Sequence, residues 1–174
     1  RMGATVGTKF SHDSELIIDY ANSSIRSDFM DIYLGANCLF CISQGTGFDG
    51  IPMIFRRPIA YANIAPIFYF NTPLSKSIGI FKYHRDKKTG ECLSLEEILY
   101  RGLGECMTSD CFTAKNIQLE DNTSEDITEL VKEMWIRLNS TETESFSTLE
   151  NDQKKVSQNL DDIYNEAYRK VMNV

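Results

Sequence analysis

The chain has 174 residues, 42% of them hydrophobic, which suffices for one domain with a real core. Its net charge of −7 and pI near 4.9 exclude the basic face that sequence-independent nucleic-acid binding requires. No apolar run approaches the roughly 20 residues of a membrane-spanning helix, and no signal-like segment opens the chain. Arg1–Gly3 reads as the end of a strand, followed by a glycine-bearing loop, and Leu16–Tyr20 as a short strand. Ser27 is placed to cap a helix over Asp28–Gly35, with Phe29, Ile32 and Tyr33 on one face.

The chain then reaches its most informative stretch, Cys38–Asn63. Cys38–Ile42 and Ile59–Ala62 are apolar runs of strand length. Between them lie a polar glycine loop, Ser43-Gln44-Gly45-Thr46-Gly47-Phe48, and a short helical segment ending at Arg56-Arg57. That order predicts a βαβ unit with a parallel strand pair. Ligands in such sheets bind outside the carboxyl ends of the strands, where this loop sits. Gly45 and Gly47 allow close approach of a ligand to the backbone, Ser43 and Thr46 offer hydroxyls, and a following helix start favours phosphate. Asp49 reads as the N-cap, because it places Pro52 in the first turn; a cap at Thr46 would push Pro52 into the second. The same glycines and cap also suit a simple chain turn. Arg1, at the end of its strand, belongs to the same sheet edge as Ser43. Arg56-Arg57 suits the negative end of the preceding helix.

Beyond Asn63 the alternation weakens. Ile78–Tyr83 and Glu91–Leu93 flank Asp86–Gly90 as a hairpin, and Ser94-Leu95-Glu96-Glu97 is a capping box whose helix ends at Gly102 or Gly104. Gly104–Gln118 reads as irregular. Thr123 starts a clear helix, with Ile127, Leu130, Val131, Met134, Trp135 and Leu138 on one stripe facing the core. A second amphipathic pattern runs from Leu149 to Val171. His12 and His84 read as loop residues at the surface and belong to no metal-spaced cluster. The five cysteines, Cys38, Cys41, Cys92, Cys106 and Cys111, read as structural thiols of a cytoplasmic chain.

The run SDFMDIYLGANCLFCISQGTGFDGIPMIFRRPIAYAN, with RMG upstream and NTSEDITELVKEM downstream, resembles a family of bacterial surface-polysaccharide glycosyltransferases. The resemblance covers Arg1 to about Leu138 and is densest over Ser27–Asn63. It implies the second half of a Rossmann-like, GT-B-type donor domain over residues 1–139, with a C-terminal helical extension over 140–174. The implied reaction moves a sugar from a nucleotide diphosphate sugar to a surface glycan or its lipid-linked precursor, in the cytoplasm or at the inner face of the membrane. The resemblance implies no cofactor and no essential metal, and here no paired-aspartate element is found. Ser43, Gly45, Thr46, Gly47, Phe48, Asp49 and Arg1 are the expected donor-binding residues. The acceptor-binding domain, with the catalytic base, and the first strands of the donor domain are expected outside this sequence; without those strands one side of the sheet is expected to be unpaired or poorly covered. Two alternatives remain at this point: a non-catalytic domain serving association, and another phosphate-binding transferase on the same fold.

Overall fold

The structure, a computed structural model, describes residues 1–3, 6–10, 12–70 and 76–140. Among them the order is α1 (Asp28–Asn37), β1 (Cys41–Ser43), α2 (Gly50–Ile54), β2 (Ile59–Ile64), β3 (Ile78–Phe81), β4 (Tyr83–Asp86), α3 (Leu95–Tyr100), α4 (Ser109–Ala114), β5 (Ile117–Glu120) and α5 (Ser124–Asn139). A three-stranded sheet has the order β1-β2-β3, parallel throughout, and β4 and β5 form a separate antiparallel pair. This is a mixed α/β fold whose parallel sheet carries flanking helices.

β2 lies in the centre of the sheet and all six of its residues are buried, as expected for a parallel strand covered on both faces. Its period of two sorts small from large. Ala60 and Ala62 pack with Ile78 against Leu130 and Met134 of α5, where their short side chains admit a helix. Ile59 and Tyr61 face the opposite way, against Met53, Phe70 and Phe81, and Ile64 joins them because the period breaks at the left-handed Asn63, where the register with β3 shifts. The predicted pairing is present, with Cys41 opposite Ile59 and Ser43 opposite Tyr61.

The strand itself begins later than expected. α1 continues past Gly35 to Asn37, Cys38 becomes its C-cap, and only Cys41–Ser43 pairs as a strand. Gly35 does not end the helix; it serves packing. A Cβ there would stand 2.6 Å from the Ile51 side chain, so α1 and α2 touch through the missing methyl. Ser27 caps α1 as predicted, accepting from the Met30 N–H. The expected apolar face stays open: Phe29, Ile32 and Tyr33 are about half exposed or more, as are Leu39 and Ile42 beside the free edge of β1.

Leu16–Tyr20 is not a strand. The Ser14 carbonyl and hydroxyl accept from Ile17 and Leu16 N–H groups and turn the chain, leaving Leu16 94% exposed, and Tyr20–Asn22 forms a 3₁₀ turn. Arg1–Gly3 is not a strand either; its backbone is tied to Ile18 and Ala21 instead.

In the second half, Ile78–Phe81 joins the parallel sheet, and Tyr83–Asp86 takes the place expected for it in the hairpin. Asp86 N–H donates to the Glu91 carbonyl and Leu93 N–H to that of His84, around a turn with Gly90 at φ +76°. The other neighbour of β4 is β5, from the region read as irregular, which also holds α4. Ser94 forms its capping box, and α3 ends at Gly102, whose φ is +62°. A second core gathers Ile67, Ile98, Leu103, Cys106, Phe112 and Ile117. Cys106 and Cys111 are joined by a disulfide, so these two are not free thiols. His84, expected at the surface, is 1% exposed beside Phe112. On α5 the buried stripe narrows to Leu130 and Met134 with Ile127 and Leu138 at its margins; Trp135 turns outward, 54% exposed, and is not core. The pattern of Leu149–Val171 lies outside the described residues. No helix among them is long and apolar enough to cross a membrane.

Two asparagines join the parts. Asn63, at φ +57°, donates its N–H to the Asn122 side-chain oxygen and accepts the Asn122 N–H on its own, both at 2.6 Å. Asn122 also donates to the Phe81 carbonyl at 2.8 Å, so one residue ties the ends of β2 and β3 to the start of α5. Replacing Asn63 by Gly keeps the left-handed backbone and loses one side-chain acceptor; Asn63→Ala loses both. Asn63→Ala should cost about 2–4 kcal/mol, and Asn63→Gly about 1–2 kcal/mol less than that, in urea unfolding. Equal losses for the two would remove the backbone from the account.

The buried His84 generates a second prediction. A carbonyl only accepts, so the Nδ1 atom 2.9 Å from the Lys82 oxygen carries the ring proton, and Nε2 has no partner. Burial lowers the His84 pKa below its usual 6.5, the Lys82 carbonyl opposing weakly. The unfolded chain therefore binds the proton more readily, and stability is complete above about pH 6.5 and falls as pH drops through that value towards the lowered one. Urea midpoints at pH 8 and pH 5.5 should differ in wild type, and that difference should shrink in His84→Leu.

Candidate functional site

Local geometry differs from the expected cap. Thr46, extended, occupies the N-cap position, Gly47–Asp49 forms a 3₁₀ turn closed by Asp49 N–H to the Thr46 carbonyl, and α2 follows without a break. Asp49 is already helical (φ −58°) and its side chain caps nothing. Pro52 then falls in the second turn. It is accommodated because the Phe48 carbonyl, which its N–H would have sought, accepts from Gly50 instead. A carboxylate that does not cap has turned inward, and Asp49 is 6% exposed.

The loop lines a cavity of about 390 Å³ at the carboxyl ends of β1 and β2. Gln44, Gly45, Thr46, Gly47 and Asp49 form one wall, and Met53, Tyr61, Ile64, Pro66 and Phe70 the other. Of the expected residues, Gly45, Thr46, Gly47 and Asp49 thus come together. Ser43 stands behind them, 9% exposed, its hydroxyl accepting from the Gly45 N–H at 3.2 Å. Gly45 needs its freedom, with φ +78°, whereas Gly47 has an ordinary backbone; a Cβ at either would meet no atom within 4 Å.

Phe48 and Arg1 are placed elsewhere. Phe48 points into a separate apolar cavity of about 430 Å³ between α1 and β1, with Leu34, Cys38 and Ile42. Arg1 does not line the loop cavity. Its guanidinium donates to the Asp19 carboxylate at 3.0 and 3.1 Å and to the Thr8 carbonyl. Asp19 is held at about 2 by bonds from the Asn22 side chain and the Phe10 N–H, with Arg1 adding to them. The Arg57 side chain donates to the Ala36 carbonyl at 2.6 Å and so closes the end of α1, while its backbone N–H donates to the Pro52 carbonyl at 2.8 Å and closes that of α2. Arg56, at φ +55°, completes the C-terminal turn of α2, where its N–H reaches the Met53 carbonyl.

The electrostatics of the cavity are unexpected for a phosphate seat. Among the described residues that line it, none is Lys, Arg or His. The Asp49 Oδ1 atom is buried with no hydrogen-bond partner. Desolvation raises the Asp49 pKa above its usual value, while polar contacts with the Ser43 side chain and the Thr46 backbone pull the other way. Burial, and behind it the Asp49 charge, raises the Tyr61 pKa and pushes that of Cys41 up to about 11. Tyr61 and Phe70, whose rings meet edge to face at 5.4 Å, escaped the sequence reading. A phenol inside an otherwise apolar strand was the available signal. No group of three or more His, Cys, Asp or Glu among the described residues is arranged to hold a metal ion. A larger concavity, about 940 Å³, lies between β3 and α5, includes none of the loop residues and is lined by Glu125, Glu129 and Glu133 among others.

A buried, incompletely partnered carboxylate opposes folding at neutral pH. With its folded pKa raised, Asp49 favours the folded state most below its unfolded value of about 3.8 and loses that contribution as pH rises through the raised one. Asp49→Asn should therefore be more stable than wild type at pH 7, by about 1 kcal/mol or roughly 2–4 °C in the melting midpoint. The gain should vanish near pH 4. If Asp49→Asn were instead less stable than wild type at pH 7, the carboxylate would be well satisfied. Comparison of the chain with protein-family models, curated proteins and solved structures returns no match.

Proposed function

We propose that the chain is the donor-binding part of a GT-B-type glycosyltransferase that acts in bacterial surface-polysaccharide synthesis. The donor is a nucleotide diphosphate sugar and the acceptor a glycan or its lipid-linked precursor. In the reaction, the bond between the anomeric carbon and the diphosphate oxygen breaks, and the acceptor oxygen bonds to that carbon. The acceptor hydroxyl gives its proton to a base, which is not assigned to any residue here. The nucleotide diphosphate leaves with an added negative charge that the donor domain must stabilise.

One observation supports this reading above the others. The parallel β1–β2 pair delivers a loop with two unobstructed glycines to the rim of a cavity at the strands' carboxyl ends. Gly45 is required by its own φ of +78°, but Gly47 has an ordinary backbone and a side chain there would meet no atom of the fold, so its absence is explained by neither backbone nor packing. A ligand that approaches the backbone there explains it. The motif resemblance over Ser27–Asn63 names the ligand class.

Calorimetry of the chain against a panel of nucleotide diphosphates tests the reading. Gly47→Val should keep the wild-type melting behaviour, because its backbone is ordinary and its Cβ meets nothing, yet lose nucleotide diphosphate binding. Thr46→Ala should weaken binding by roughly 1.5–3 kcal/mol if the hydroxyl reaches a charged oxygen. Undiminished affinity in Gly47→Val removes the donor from this loop. A folded wild type that binds no nucleotide diphosphate removes the donor-domain reading.

A further inference from the structure

The cavity behind the loop has a chemistry that the diphosphate alone does not account for. Its polar wall carries one carboxylate, that of Asp49, which is only 6% exposed and has one oxygen left without a partner. Its other wall is the edge-to-face pair Tyr61 and Phe70, with Met53 and Ile64. No cationic side chain among the described residues lines it. A phosphate inside would meet the Asp49 charge where water screens little, with no cation nearby to compensate.

We infer that this cavity takes an uncharged saturated ring with neighbouring hydroxyls, which donate to the Asp49 carboxylate, while the diphosphate stays outside at the loop. A carboxylate is an acceptor only, with about four lone-pair positions, and so suits hydroxyls that bring protons. The C–H face of such a ring packs on aromatic carbon, which Tyr61 and Phe70 supply. The volume fits as well: about 390 Å³ lies at the small end of ligand sites, roughly 300–1,000 Å³, room for a ring and not for a whole nucleotide sugar. Oδ1 is closed to water as the loop stands, so a ring hydroxyl reaches it only when the loop around Thr46 moves. Gly45 and Gly47 flank Thr46 with open space about both.

The inference rests on the donor reading for the source of the ring, which is either the transferred sugar or the ribose of the nucleotide. The two share their chemistry and separate in the test. The full chain, with labelled methionine and isoleucine methyl groups, is titrated by NMR with N-acetylglucosamine, glucose, ribose and pyrophosphate in turn. It is then titrated with uridine diphosphate and its 2′-deoxy counterpart. At least one ring sugar should shift the Met53 and Ile64 methyl signals saturably, and pyrophosphate should not. A hexose response assigns the transferred sugar; a ribose response with loss in the 2′-deoxy nucleotide assigns the ribose. Asp49→Asn should weaken the response about tenfold or more, because it replaces a charged acceptor. Pyrophosphate shifting Met53 and Ile64 would overturn the inference and leave the donor reading standing. No response to any ring sugar, in a protein that still binds uridine diphosphate, would do the same. No response to the sugars or to the nucleotides would overturn both.

Discussion

The reciprocal pair Asn63–Asn122 is the constraint on which the arrangement of this molecule depends. The residues are 59 apart in sequence, and each covers the other's backbone N–H with a side-chain oxygen at 2.6 Å. The parallel sheet and the antiparallel pair each have their own buried cluster, bridged by Phe81, which packs against both. The pair sits where they meet, at the end of β2 and between β5 and α5. Nearby, Lys82 pairs with Asp121 at 2.6 Å, and the Tyr83 hydroxyl donates to Asp126, which also serves in the α5 capping box. Exposed ion pairs of this kind contribute little. The part-buried amide bonds contribute more, because Asn63 is itself buried and leaving its groups unmatched costs their desolvation. Held in this way, α5 covers Ala60 and Ala62, and the opposite face of β2 is left for the loop cavity.

What was legible rests on local signals. Two apolar runs around a glycine loop gave the parallel pair, Ser27 gave a cap, Ser94 a capping box and Thr123 a helix start. What failed was tertiary. Leu16–Tyr20 has strand composition, but the Ser14 turn takes its hydrogen bonds. Gly104–Gln118 has no periodicity to read, because α4 and β5 are short and meet their partners across the chain. Trp135 keeps helical spacing with Leu130 and Met134 without sharing their burial, since the contact stripe is narrower than the apolar one. At the site, the rule that Pro52 belongs in the first turn pointed to Asp49 as cap. The 3₁₀ turn that moves the cap to Thr46 is a choice of hydrogen bonds with no signature in residue types.

That shift of cap changes the chemistry of the site. As an N-cap, Asp49 would be spent on backbone N–H groups at the surface. Turned inward, it places a charge among Tyr61, Met53 and Phe70. Folding tolerates such a group at a cost, and the residue that would relieve it, a basic side chain, is absent from the described lining. A buried carboxylate, unaccompanied by any basic side chain in the described lining, is the main electrostatic feature of the cavity.

The contact of Gly35 with Ile51 carries a consequence for how sequences of this type can drift. A methyl at position 35 would stand 2.6 Å from the isoleucine branch, and Phe48 lies 3.5 Å away on the same side. Neither helix can retreat freely, since Arg57 also ties the end of α1 to the residues after α2. Positions 35 and 51 are therefore open to exchange only as a pair, a larger residue at one with a smaller at the other. In a set of related chains, covariation of those two columns would trace the spacing of α1 from the helix that carries the loop, and with it the width of the site.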